Sequence, residues 1–229
     1  MKLLAFETAT EGCSVAVWVD GEVCERFEIA PRRHAELALP WADEMLAQAG
    51  VARTSLDAIA VGRGPGAFTG VRLAIALAQG VALALDRPIV PVSTLAALAL
   101  QARAPRVLAA IDARMGEVYV AAFRCEGDNA FALDAERVAA PDAVALPDET
   151  NEWIGVGTGL DAVDGVLRNT LEGRLARIDA QALPRASDVA RLAAQAFKRG
   201  EGVAPERVEP AYLRDNVALT LAEQQARKR

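Results

Sequence analysis

The chain has 229 residues, 52% of them hydrophobic, which is enough to bury a substantial core in one large or two small domains. Its formal net charge of -6 removes any global electrostatic pull toward nucleic acid and leaves only a local patch to make such a contact. Three scattered cysteines, Cys13, Cys24 and Cys125, are too few for a zinc cluster or a disulfide framework, so they read as buried free thiols without a catalytic role.

The sequence begins directly on a strand, KLLAFE, without a signal-peptide pattern, and a cytoplasmic location is expected. Residues 3–18 give a strand, an acid at Glu7, a polar turn and a second strand. The only histidine, His34, stands at the start of a helix over 35–48, where an exposed or capping position is the expectation. A strand over 58–61 runs into the most informative segment, GRGPGAFTGVR. There Gly62, Gly64, Gly66 and Gly70 allow positive φ and close backbone approach, Pro65 fixes one φ, and Thr69 fits the cap of a helix over 71–85.

A glycine-rich loop opening a helix also suits a phosphate, because free N–H groups and the helix dipole both favour an anion. The letters argue against that use. A Walker loop needs Lys and then Ser or Thr after its last glycine, whereas Gly70 is followed by Val71 and Arg72; the dinucleotide pattern fails at Thr69. A tight turn that docks helix on sheet is the preferred reading. The apolar run 73–85 is interrupted by Gln79 and falls short of the roughly 20 residues a bilayer requires.

A strand over 89–92 follows, and the boundary between two domains, 1–104 and 105–229, is placed near residues 102–105, with the C-terminal helix free to pack across it. Residues 107–123 repeat the opening hairpin, with Asp112 aligned to Glu7. Gly155, Gly157 and Gly159 then read as a strand-to-helix turn, with an adenosine contact as the alternative. Arg227, Lys228 and Arg229 form the one dense basic run.

GRGPGAFTGVR resembles the signature of the bacterial TsaB (YeaZ) family, the smaller paralogues of TsaD in the machinery that makes threonylcarbamoyladenosine on tRNA. LLAFETATEGCSVAVW, PRRHAELALP, VSTLAALA, IDARMGEVY and PAYLRD match the same family in the same order, over nearly the whole chain. The resemblance implies an α/β fold of two ribonuclease-H-like domains, the actin-like ATPase (ASKHA) architecture, with the second domain reduced. In that fold nucleotide sits between the domains, and Glu7, Thr8, Ser14, Asp112 and Gly157 occupy the positions that would approach it. The family usually has Asp where this chain has Glu7, so no metal role is carried over to it.

The resemblance also implies a division of labour. TsaD-like proteins hold a catalytic metal with paired histidines on one helix and carboxylates, and one histidine cannot rebuild that site. No metal or cofactor is therefore assigned to this chain; ATP and metal belong to the partner complex. The expected role is a noncatalytic scaffold and activator that dimerises with a TsaD-like paralogue for N6-threonylcarbamoylation of adenosine 37 in ANN-decoding tRNAs. A TsaE-like ATPase is reached through that complex, tRNA is contacted indirectly, and the protein pairs with itself when the paralogue is absent. Leu39, Met45, Leu46, Ala74, Ile75, Leu77, Ala78 and Val81 form the expected interface on the two apolar helices. A small-molecule kinase or ATPase of actin-like fold is the alternative, and a peptidase is a weaker one, because no serine sits in a nucleophile elbow.

Overall fold

The computed structural model describes residues 1–214, so the basic run at 227–229 lies outside the described residues. Two sheets carry the architecture. The first takes β1 (Lys2–Glu7), β2 (Gly12–Val19), β3 (Glu22–Ile29), β4 (Ala58–Gly62) and β5 (Ile89–Val92) in the order β3-β2-β1-β4-β5. β1 and β2 pair antiparallel with Glu7 opposite Ser14, while β4 and β5 join β1 in parallel. The second takes β6 (Arg106–Arg114), β7 (Glu117–Glu126), β8 (Asn129–Ala132), β10 (Trp153–Val156) and β11 (Leu175–Asp179) in the order β11-β10-β6-β7-β8, with β9 (Arg137–Ala139) also on β7. Read from β8, that order repeats the first sheet strand for strand.

The connections explain which faces are covered. Parallel neighbours need crossovers, and α1 (His34–Gln48) and α2 (Phe68–Leu85) supply them on one face of the first sheet. Ala38, Trp41, Ala42, Met45 and Leu46 of α1 and Val71, Ala74, Ile75, Ala78 and Ala82 of α2 form the buried sides. Each fully buried Ile or Leu in such a layer contributes about 1.5 to 3 kcal/mol. α2 is long and apolar enough to cross a membrane by length and composition, with mean hydropathy 1.7, yet its inner side belongs to this core.

α3 (Thr94–Gln101), capped by the Ser93 hydroxyl accepting from the Ala96 N–H at 3.0 Å, leads to the second sheet. α4 (Ala162–Thr170) is interrupted by left-handed Val163, Asp164 and Gly165, so the expected helix after the second glycine run starts late. α5 (Ala186–Lys198) returns to the free face of the first sheet through Ala186, Val189, Ala190, Ala193 and Ala194. Its first turn is capped from afar: Ala186 N–H donates to Ser14 Oγ at 2.9 Å and Ser187 N–H to Glu25 Oε1 at 3.0 Å.

Candidate functional site

The ends of the two hairpins face one another across a cleft of about 720 Å³. Ala9, Thr10 and Glu11 line it from the first hairpin, residues 111–115 from the second, and Ala67, Phe68 and Arg72 from the start of α2. Residues 210–214 close the remaining side.

The glycine loop is docked into this region, and its work is steric. A Cβ on Gly70 would lie 2.0 Å from the Thr8 carbonyl oxygen, one on Gly66 2.4 Å from that of Ala9, and one on Gly62 1.9 Å from Glu7 Oε2. Ala67 N–H donates to the Ala9 carbonyl at 2.7 Å and the Thr8 hydroxyl to that of Gly70 at 2.7 Å, which bolts the loop onto the turn after β1. Two sequence expectations are corrected. Of the four glycines only Gly64 has positive φ, at 92°, so close approach rather than left-handed backbone demands the others. Thr69 lies inside the helix; Ala67 holds the cap position without a side-chain bond, because docking of the loop on Ala9 sets where α2 begins.

Of the five residues expected near nucleotide, Asp112 alone lines the cleft. Glu7 is fully buried, where Oε1 accepts from Ala9 N–H at 2.7 Å and Oε2 from the Thr94 hydroxyl at 2.9 Å; burial raises its pKa to about 7 despite those bonds. Thr8 is spent on Gly70, and buried Ser14 donates to Glu25 Oε1 at 2.8 Å while serving the α5 cap. Gly157, at φ 102°, backs onto β6, where a Cβ would come within 2.2 Å of the Ala110 carbonyl oxygen. Asp112 itself accepts from Arg114 through both N–H at 2.7 Å and Nη1 at 2.8 Å. Glu7, Thr8 and Ser14 are turned inward and satisfied, so these three do not fit a nucleotide or its metal, while Asp112 faces the cleft held by Arg114.

His34 lines the cleft but neither caps α1 nor lies open: it is half-buried, and its Nε2 is buried without a hydrogen-bond partner. Among the described residues no three His, Cys, Asp or Glu side chains gather closely enough for an ion. Burial pushes the Cys13 and Cys125 thiols up to about 11, which leaves them unreactive near neutral pH. Arg72, expected only as a loop residue, stacks over Phe68 and donates to its carbonyl at 2.9 Å and to the Tyr212 hydroxyl at 2.5 Å.

A second feature lies outside the cleft, between α1 and α2. It is an apolar groove of about 600 Å³, lined by Leu39, Leu46 and Leu56 on one side and Ala76, Leu77, Gly80, Val81, Ala84 and Leu85 on the other. The interface residues expected from sequence separate here. Leu39 is 45% exposed, and Leu77 and Val81 are part-exposed. Met45 and Ile75 are buried, Leu46 shows only its edge in the groove, and Ala74 and Ala78 are fully buried against this protein's own sheet. The outward small residues are Ala76, Gly80 and Ala84 instead, spaced four apart.

A family profile described as "TsaD: tRNA N6-adenosine threonylcarbamoyltransferase" matches residues 27–221. The chain is 44% identical over 225 residues to the tRNA threonylcarbamoyladenosine biosynthesis protein TsaB of Escherichia coli, covering 95% of this chain and 96% of that one. It is 37% identical over 229 residues to the Haemophilus influenzae protein of the same name, with 95% of each covered. YeaZ from Pseudomonas aeruginosa superposes with a TM-score of 0.84 at 44% identity, over 93% of this chain and 99% of that one, in keeping with an actin-like, ribonuclease-H-like fold. With cleft, loop and duplicated sheets in place, these likenesses show that the chain belongs to the TsaB (YeaZ) family.

Proposed function

We propose that this protein is a noncatalytic subunit that docks on a TsaD-like paralogue and activates it in N6-threonylcarbamoylation of adenosine 37 in ANN-decoding tRNAs. The observation that carries the reading is the groove between α1 and α2. α2 is apolar on both sides: one side is spent on the sheet, and the other carries the partly buried Leu77 and Val81 and the 65%-exposed Leu83, which the described residues leave open along the groove. Ala76, Gly80 and Ala84 let a second helix approach at the short end of the usual 8 to 10 Å spacing. Since α2's inner side is built into the core, a protein suits the outer side better than a bilayer. The burial of Glu7, Thr8 and Ser14 away from the cleft supports leaving metal, ATP and chemistry to the partner complex. A TsaE-like ATPase joins through that complex, tRNA is met indirectly, and the same surface pairs two copies when the paralogue is absent. The work is cytoplasmic.

Co-expression with the TsaD-like protein of the same genome tests this. Ala76→Glu is expected to leave circular dichroism intact while abolishing the heterodimer on gel filtration and tRNA modification with it. A folded variant that still pairs and supports modification would place the docking surface elsewhere. Calorimetry of the isolated chain with Mg-ATP separates the kinase or ATPase alternative, which requires tight stoichiometric binding.

A further inference from the structure

Residues 203–208 belong to the first half of the molecule. Val203 bridges Ile89 through bonds of 2.8 and 2.9 Å, the Pro205 carbonyl accepts from Gln79 Nε2 at 2.8 Å, and Val208 is buried in the core under α2. The chain then leaves this core along the cleft. Ala211 N–H donates to the Arg63 carbonyl at 2.8 Å, still on the first half, and the Tyr212 hydroxyl takes its bond from Arg72. Three residues later Arg214 is on the second half. It forms an ion pair with Glu117 and donates to the Ala113 carbonyl and to Met115 Sδ, each at 3.3 Å.

We propose that residues 208–214 are a strap that latches the two halves across the cleft and holds it at one opening, with Arg214 as the latch. The span is short. From Ala211 to Arg214 the backbone reaches at most about 11 Å when fully extended, so the two anchors bound how far the halves can part before one of them breaks. The receiving turn suits the task, since left-handed Arg114, Met115 and Gly116 fold it back on itself next to the Ala113 carbonyl. The Arg214 side chain is only 16% exposed, so its charged bonds are less screened than those of a surface pair. The latch carries no residue of the groove between α1 and α2, so it stands apart from the docking reading.

Hydrogen exchange on the full-length protein tests the latch. Arg214→Glu is expected to speed exchange roughly tenfold or more in two separated segments, 63–72 and 112–118, with β1, β4 and residues 106–111 of β6 unchanged. Combining it with Glu117→Arg should return both segments to near wild-type rates. Tyr212→Phe, which removes one anchor, should raise exchange only in 63–72 and by less. If Arg214→Glu does not fold, Arg214→Gln is read by the same standard. Unchanged rates, or acceleration confined to 112–118, would overturn the strap, and a charge swap without recovery would overturn Arg214 as its latch.

Discussion

The two halves share one strand order and spend it differently. In each, a glycine-bearing segment follows the parallel strand beside the hairpin and docks against backbone of the hairpin, just past the end of its first strand in the first half and at the middle of that strand in the second. Gly66 and Gly70 sit against Ala9 and Thr8, Gly157 and Gly159 against Ala110. The carboxylates that align between the halves diverge: Glu7 is sealed below the loop, while Asp112 stays at the cleft with Arg114. The crossovers diverge further, because α2 runs 18 residues with apolar groups on both sides and α4 runs nine with a left-handed break. Close approach of loop to strand survives in both halves, whereas long apolar helices survive in one. The glycines thus serve the fold in both halves, and the first half is the one that carries an apolar groove beside a long helix.

The largest effect separates the two sides of α2. Ala78→Glu places a carboxylate in a fully buried site and should leave little folded protein, whereas Ala76→Glu, two residues earlier and exposed, should melt within a few degrees of wild type. Circular dichroism melts of both variants decide it, and equal losses would show that the sides are not distinct. Next come the glycines. Gly70→Ala and Gly157→Ala each drive a methyl against a carbonyl oxygen, at 2.0 and 2.2 Å, and should each cost roughly 3 kcal/mol or more in urea unfolding. A cheap Gly157→Ala beside a costly Gly70→Ala would break the parallel between the halves.

Glu7 sharpens the contrast with Asp112 through pH. Its pKa is about 7 in the folded protein against 4.5 as the ordinary value, so the folded state holds a proton that the unfolded state has lost over that interval. Stability from this group is therefore full below about 4.5 and falls as pH rises to about 7, by on the order of 3 kcal/mol. Glu7→Gln keeps the shape without the charge and should flatten the decline in melting temperature between pH 5 and 8. Asp112→Asn should leave the decline as it is. A wild-type profile that rises over this range would mean that Glu7 is charged at little cost.

Much of this architecture is legible in the letters. The duplicated hairpins, α1, β4 and β5 follow from alternation, period and glycine placement, each a local signal. The orientation of α2 is not local. With apolar residues all round, the sequence does not say which side meets the sheet, and reading Ala74 and Ala78 as outward instead of Ala76 and Gly80 is a two-residue error, about 200° of helix rotation. That the cap of α5 comes from Ser14 and Glu25 is a long-range fact no window contains. The inward turn of Glu7 likewise depends on the absent Cβ of Gly62, a match between residues 55 positions apart.

The smallest effect is the most specific to the groove. Gly80 lies within α2, exposed, and a Cβ added there meets nothing within 4 Å in the isolated protein. Alanine at a helical position loses less backbone entropy on folding than glycine, so Gly80→Ala should stabilise the chain alone by about 0.5 to 1 kcal/mol, read as a melting temperature a few degrees higher. The same methyl stands between Ala76 and Ala84 on the outward stripe, where a partner helix seated at close range would have to move back to admit it. Stability and docking should therefore move in opposite directions, with the heterodimer dissociating severalfold more readily by surface plasmon resonance. Gly202→Ala, away from α1 and α2 and with its nearest neighbour at 3.3 Å from the new methyl, should leave docking unchanged. If Gly80→Ala raises the melting temperature and docking is equally untouched, the partner does not lie on the stripe, and the asymmetry between the halves would need another origin than helix-to-helix contact.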